Sequence, residues 1–200
     1  YIGEHAFEYC TSLTSITIPS GVMGIGDWAF LGCSNLTSIT IPNGMTCIGY
    51  RAFEDCSSLT SITIPDSVVD IGYYAFRGCK SLTAINVATG NQDYVSVNGV
   101  LYNKDKTTII CYPAEKNDKN YTLIDSVMWI GASAFSGCAN LKNIMISDGV
   151  TSISPYAFEG CISLTSITMP DSVMLIGDYA FIGCKSLASI TICDGVTSIG

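Results

Sequence analysis

The chain has 200 residues, is 48% hydrophobic and 13% charged, and carries a net charge of −8. It is too apolar for a disordered segment, yet no apolar run approaches the ~20 residues needed to span a bilayer. Its nine Lys and Arg residues are scattered, which argues against nucleic acid and against anionic membrane surfaces as partners, because phosphates call for a clustered basic face.

The elements repeat. Ala6-Phe7 opens a unit that ends at Trp28, and Ala-Phe recurs at 29, 52, 75, 134, 157 and 180. The units 6–28, 29–51, 52–74, 134–156 and 157–179 are each 23 residues long, and 180–200 is cut short. A period of this size marks a solenoid, in which one unit cannot bury its apolar residues alone. Neither end carries a polar cap, so the array is expected to continue beyond 1–200.

Within the first unit, Ile16 and Ile18 alternate with Ser15 and Thr17, the period-2 mark of a strand with one buried face. Leu13, Ile16 and Ile18 recur as Leu36/Ile39/Ile41, Leu59/Ile62/Ile64 and Leu164/Ile167/Met169. Stacked coils make these strands parallel neighbours. Pro19, Pro42, Pro65 and Pro170 then end the ladder. A second short apolar pair (Val22/Ile25, Val68/Ile71, Val173/Ile176) is expected to close the coil on the opposite side. Gly26, Gly49, Gly72, Gly131 and Gly177 follow, where a sharp bend or a positive φ is expected. Ala-Phe begins a short turn or 3₁₀ segment, with Phe as the largest core filler.

One stretch, 75–133, departs from the period. It opens and closes as a unit, and its excess is one further unit plus 13 residues. An inserted β-hairpin is expected at about 88–120. Asn98-Gly99 between Val97 and Val100 signals a type I′ turn. Val100–Tyr102 and Thr108–Tyr112 flank the polar loop 103–107. Pro113 ends the second strand, and 114–120 reads as a solvated linker. Lys104, Lys106, Lys116 and Lys119 make the region mildly basic.

Seven of ten cysteines share one repeat position: Cys10, Cys33, Cys56, Cys79, Cys138, Cys161 and Cys184. Stacked coils would hold them about one strand spacing apart, roughly 4.8 Å, whereas a disulfide wants Cβ atoms ~3.8 Å apart. A ladder of free, buried thiols is therefore expected. No C-x₂-C pair exists and His5 is the single histidine, so zinc is not indicated. Cys47, Cys111 and Cys193 lie outside the ladder, and Cys193 is the foremost candidate for a reactive thiol.

Nothing points to catalysis. There is no G-x-S-x-G, no H-E-x-x-H and no phosphate-binding loop, and no cofactor is called for. Asp27, Asp66, Asp171 and Asp178 lie in turns, where capping is their ordinary use. Two exposed stripes remain. The first is the outward strand face, with Ser15, Thr17, Ser38, Thr40, Ser61 and Thr63 continuing through Ala84/Asn86, Asn143/Met145, Ser166/Thr168 and Ser189/Thr191. It is either a solvated sheet face or a shallow protein-binding surface. The second precedes Ala-Phe: His5, Trp28, Arg51, Tyr74, Ser133, Tyr156 and Tyr179, with Tyr50 and Tyr73 beside it. Such rings either cover the coil edge or form an interface, and Tyr suits both uses.

The strand pattern L-x-x-I-x-I matches that of leucine-rich repeats. Together with I-P-x-x-V-x-x-I-G-x-x-A-F-x-x-C-x-x-L, it resembles the BspA-like leucine-rich repeat family of bacterial surface proteins over nearly the whole chain. Residues 97–107 resemble that family's recurrent inserted hairpin. The resemblance implies a single right-handed, leucine-rich-repeat-like solenoid over 1–200. A parallel β-sheet would form one face and short strands and turns the other. It also implies secretion or display at the cell surface, with signal and anchor outside these residues, and adhesion without catalysis. The expected partner is an extracellular or host protein. A glycan bound through exposed aromatics and a spacer rod presenting another domain are the alternatives.

Overall fold

In three dimensions the 23-residue period is a coil of two short strands and two tight corners. A computed structural model describes all 200 residues. The N-terminal coils alternate β1 (Ser15–Thr17), β3 (Ser38–Thr40), β5 (Ser61–Ile64) and β7 (Ala84–Val87) with the two-residue strands β2 (Gly24–Ile25), β4 (Cys47–Ile48) and β6 (Asp70–Ile71). A hairpin follows, made of β8 (Tyr94–Val97), β9 (Val100–Asn103) and β10 (Thr108–Cys111). The C-terminal coils alternate β11 (Asn120–Thr122), β13 (Asn143–Met145), β15 (Ser166–Thr168) and β17 (Ser189–Thr191) with β12 (Trp129–Ile130), β14 (Ser152–Ile153), β16 (Leu175–Ile176) and β18 (Ser198–Ile199). The chain is thus a β-solenoid of about 8 turns without helices.

Pairing between coils is parallel and in register, as in Ile16↔Ile39 and Ile144↔Ile167↔Ile190. The alternating pattern explains it: slipping by one residue would turn every Ile outward. Ala-Phe forms successive turns rather than helix, closed by Ala29 N–H to Gly26 O at 3.3 Å and Leu31 N–H to Trp28 O at 3.1 Å.

The anchor Phe residues form two stacked columns. Phe7, Phe30, Phe53 and Phe76 lie 5.2, 5.4 and 5.9 Å apart between ring centres. Phe135, Phe158 and Phe181 continue at 5.2 and 5.3 Å. All ten cysteines are free thiols. From Cys33 onward, those of the ladder donate to the carbonyl of the preceding coil's anchor, as in Cys56 Sγ to Phe30 O at 3.2 Å and Cys161 Sγ to Phe135 O at 3.2 Å, while Cys10 of the first coil is exposed. This is why a small apolar residue with a weak donor recurs there. Burial pushes the Cys33 thiol up to about 11 and Cys111 up to about 12.

Three expectations are corrected. Gly26, Gly49, Gly72, Gly131 and Gly177 do not take a positive φ. They are small because the coils touch through their backbones: a Cβ on Gly49 would stand 2.5 Å from Gly26 C, and one on Gly72 would stand 2.4 Å from Tyr50 N. The solvated connection is shorter than 114–120: residues 115–119 lie outside any strand and are mostly exposed, but its two ends belong to the coil. Tyr112 occupies the anchor column, stacked 5.2 Å from Phe135, Pro113 and Ala114 are buried, and Asn120 starts β11, which pairs with β13. Cys193 is not an activated thiol. Its Sγ donates to Met169 O at 2.6 Å, and partial burial followed by the neighbouring Asp171 raises its pKa, which disfavours the reactive thiolate.

The hairpin divides the interior. Val100, Tyr102 and Ile109 pack into the C-terminal core of 25 buried residues. Leu101 and Cys111 pack into the N-terminal core of 24. Strand β9 is covered on both faces, so it acts as a septum between two apolar cores. Asn91 anchors its entry. Fully buried in the column that holds Val68, its Nδ2 donates to Pro65 O at 2.8 Å and Val68 O at 2.9 Å, while its Oδ1 accepts from Asp93 N and Tyr94 N. The lysines here are partly engaged: Lys104 donates to Asn91 O and Lys116 to Asn98 O.

Candidate functional site

Each coil turns into Ala-Phe through one left-handed residue. His5, Trp28, Arg51, Tyr74, Ser133, Tyr156 and Tyr179 have φ between 54° and 62°. A non-glycine residue there costs roughly 1–2 kcal/mol. Part of that cost is offset by coil-to-coil hydrogen bonds: Trp28 N–H to Tyr50 O at 2.8 Å, Arg51 N–H to Tyr73 O at 3.0 Å, and Tyr156 N–H to Asp178 O at 3.0 Å. Asp27 supports the same corner by accepting Tyr50 N–H at 2.7 Å, the capping use expected of it.

The corners place the side chains in one row. His5 stacks on Trp28 at 4.8 Å, Trp28 meets Tyr50 edge-on at 5.1 Å, and Tyr50 meets Tyr74 at 5.6 Å. Tyr74 reaches Tyr156 at 5.9 Å, and Tyr156 stacks on Tyr179 at 5.1 Å. The buried Ser133 leaves room between Tyr74 and Tyr156. Arg51 lies between two rings, its guanidinium carbon 5.1 Å from the centre of Tyr50 and 5.2 Å from that of Tyr74. The row therefore joins Trp28, Tyr50, Arg51, Tyr74, Tyr156 and Tyr179. Tyr73 stands apart from it, 74% exposed and without a ring partner.

Beneath the row runs an ion network that is silent in the repeat motif. Arg77 donates from Nη1 to Glu54 Oε1 at 2.6 Å, and from Nε and Nη2 to Glu159 at 2.7 and 2.6 Å. Its guanidinium carbon lies 4.5 Å from the centre of the Tyr156 ring. Arg51 Nη1 approaches the other oxygen of Glu54 at 3.4 Å. Burial raises the pKa of Glu54 despite Arg51 and Arg77. Burial also pushes Glu159 up, but the hydrogen bonds and charge of Arg77, with Ser136 donating at 3.1 Å, overcome it and leave the group below its ordinary value. Hydrogen bonding to Glu159 raises Arg77 in turn, so it stays a cation. Glu54, Arg77, Ser136 and Glu159 all follow an anchor Phe. Reading that column down the repeats would have found them.

The strand face is different in kind. Ser15, Thr17, Ser38, Thr40, Ser61 and Thr63 are exposed and lie on neighbouring strands. Asn120 and Asn143 add a side-chain hydrogen bond of 2.8 Å across β11 and β13. These outward positions carry no charge, and Met145 interrupts them with an exposed apolar side chain. On the two-residue-strand face, Trp129 and Leu175 are exposed on either side of Ser152.

Comparison with solved structures agrees with this geometry. A leucine-rich repeat protein from Eubacterium ventriosum is 31% identical with a TM-score of 0.83, over 99% of this chain and 62% of that one. A leucine-rich cell surface protein from Faecalibacterium prausnitzii is 29% identical with a TM-score of 0.71, over 94% and 62%. The pneumococcal vaccine antigen PcpA is 26% identical with a TM-score of 0.68, over 91% and 62%. The chain thus spans about three fifths of each of these proteins. No curated protein sequence matches it significantly. The model of the BspA-type leucine-rich repeat region matches residues 1–111 and 111–200 with 6 copies, and the chain belongs to that family.

Proposed function

We propose that the chain is a non-enzymatic, extracellular adhesion module that binds a host or other extracellular protein through the Arg–aromatic edge. The observation that carries this reading is Arg51 held between Tyr50 and Tyr74 in a continuous row. Tyr, Trp and Arg are the residue types that dominate interface energies, and ring contacts on both sides preorganise the guanidinium, so less freedom is lost on binding. The family and the cell-surface relative support the location. The net charge of −8 disfavours nucleic acid, and no helix is long and apolar enough to cross a membrane.

Surface plasmon resonance against a panel of extracellular-matrix proteins tests the proposal. Arg51→Ala and Tyr50→Ala are expected to weaken the interaction at least tenfold each, the level of a hot-spot loss. Binding that is unchanged in both variants, with folding intact, removes the edge as the site. No binding to any protein or glycan by this segment favours the spacer reading, which the uncharged strand face supports.

A further inference from the structure

The corner N–H groups are consumed wherever one regular coil follows another. Trp28, Phe30 and Gly32 donate to Tyr50 O, Ala52 O and Glu54 O at 2.8–2.9 Å. One coil on, Arg51, Phe53 and Asp55 donate to Tyr73 O, Ala75 O and Arg77 O at 2.8–3.0 Å. The next set is Tyr74, Phe76 and Gly78, and none of these N–H groups meets an acceptor within the chain. The hairpin is the reason. Strand β10 runs extended where other coils bend through a left-handed residue. Its Ile109 carbonyl makes the same bond to Gly131 N–H, at 2.9 Å, that Ile25 and Ile48 make to Gly49 and Gly72, but no carbonyl of the missing corner accepts from Tyr74 or Phe76. The sheet β2–β4–β6 also stops here, with Ile71 N–H capped by the Tyr94 hydroxyl at 2.9 Å.

The backbone consequently stands away from Tyr74 and Phe76 and leaves a cavity of about 240 Å³. Tyr74 and Phe76 form one wall, Ile110, Cys111 and Ser133 the opposite one. Ser133 is only 7% exposed as a residue, and its hydroxyl, open to the cavity, makes no hydrogen bond within the chain. The exposed Tyr73 ring also lines the cavity. No lining residue is charged. Backbone donors without an acceptor in the chain have to be satisfied by solvent or by a ligand.

We propose that this cavity binds an N-acetylated sugar. The acetamido carbonyl is the acceptor that Tyr74 and Phe76 N–H lack. Its methyl group fits the apolar wall of Ile71 and Ile110. Ser133 can pair with a ring hydroxyl, and the exposed Tyr73 ring offers a surface for the apolar face of the pyranose. The uncharged lining selects a neutral ligand. An extended peptide would engage Gly78 N–H as well, but Gly78 lies outside the cavity, so a compact acyl group suits the site better than a strand. The site arises from the break in the stack, so its failure would leave the adhesion proposal standing.

Titrating isotope-labelled protein with N-acetylglucosamine, glucose and tri-alanine, followed by amide chemical shifts, tests this. Saturable shifts at Tyr74, Phe76 and Ser133 with N-acetylglucosamine are expected, with glucose much weaker because it lacks the acyl carbonyl. Tyr73→Ala, a change at an exposed residue, is expected to weaken binding about tenfold. In the free protein, the Tyr74 and Phe76 amides are expected to exchange with solvent far faster than those of Phe30 and Phe53, and N-acetylglucosamine should slow them. Equal protection of all four in the free protein overturns the proposal. So does silence at the three amides at millimolar sugar, an equal response to glucose, or a response to tri-alanine alone.

Discussion

Two corners of the coil take the same left-handed conformation and are filled differently. The corner before the cysteine ladder has Gly at 32, 78, 137, 160 and 183, with Tyr9 and Asp55 as exceptions. The corner before Ala-Phe has no glycine in any of its seven left-handed residues. Glycine enters this region without steric cost, and other residues need roughly 1–2 kcal/mol. Backbone geometry alone would place Gly at both. The second corner instead keeps His, Trp, Arg and Tyr, whose side chains take part in the Arg–aromatic row, and the buried Ser133. Ring contacts there offset part of the cost, at about 0.5–1.5 kcal/mol each. What the difference teaches is that the first corner serves the coil and the second serves its edge.

That comparison treats both corners as secondary to the interior, and the largest expected effect checks this. Phe53→Ala removes a fully buried ring stacked between Phe30 and Phe76. It is expected to cost ~3–5 kcal/mol in urea unfolding. A loss below ~1 kcal/mol would put the corners on a par with the core and undo the ranking.

The second test loosens the edge from beneath. Glu159→Gln weakens the clamp on Arg77, which lies over Tyr156, and is expected to cost about 1–3 kcal/mol at neutral pH. The folded-state pKa of Glu159 lies below its ordinary value near 4.5. Its contribution is therefore complete above that value and is lost as the pH falls through the folded-state pKa. Glu54 has the opposite sign: its raised pKa means that acid favours the folded form at that group. The Gln variant should accordingly lose less stability than the parent on acidification below about pH 4.5. Parallel acid limbs for the two proteins would show that the ionisation of Glu159 contributes nothing to stability.

The third test adds a side chain to the glycine corner. A Cβ on Gly160 would meet nothing closer than Gly137 Cα at 3.8 Å, so the space is free. The cost of Gly160→Ala then comes from its φ of 66° alone, and about 1–2 kcal/mol is expected. A neutral result in thermal unfolding would mean that the left-handed corner relaxes cheaply, and the contrast between the corners would lose its energetic basis.

How far these features were legible in the sequence follows from the same contrast. The anchor Phe column, the cysteine ladder and the alternating strands were readable because each coil repeats them in kind. Tyr112 was missed as an anchor because the recurring residues around it are replaced: Cys111 stands in place of Ala and Glu115 in place of Cys. The five glycines before the second corner were recognised, but a glycine reads the same whether a bend, a positive φ or a close backbone approach requires it, and only the structure shows that neighbouring backbones touch there. Arg77 and Glu159 are 82 positions apart. Their meeting follows only once the extra residues are known to leave the stacking register intact across the insertion. The cavity beside Tyr74 was beyond the sequence altogether, because it comes from an extended β10 replacing a bent corner.

The smallest expected effect separates the corners most cleanly. Asp55 is exposed, sits in the glycine corner with φ of 56°, and faces Gly78, whose Cβ would fall 2.1 Å from its carboxylate. Its backbone bonds, Asp55 N–H to Arg77 O and Ser57 N–H to Asp55 O, do not depend on its side chain. Asp55→Gly should therefore relieve the left-handed strain and keep the coil contact. The greater freedom of glycine in the unfolded chain opposes the gain, which leaves a net stabilisation of up to ~1 kcal/mol. Asp55→Ala removes the same carboxylate, and with it the repulsion on the buried Glu54, but retains the strain. Gly exceeding Ala in thermal stability assigns the gain to the backbone. Equal stability would assign it to charge, and the preference for glycine at this corner would then need a cause other than φ.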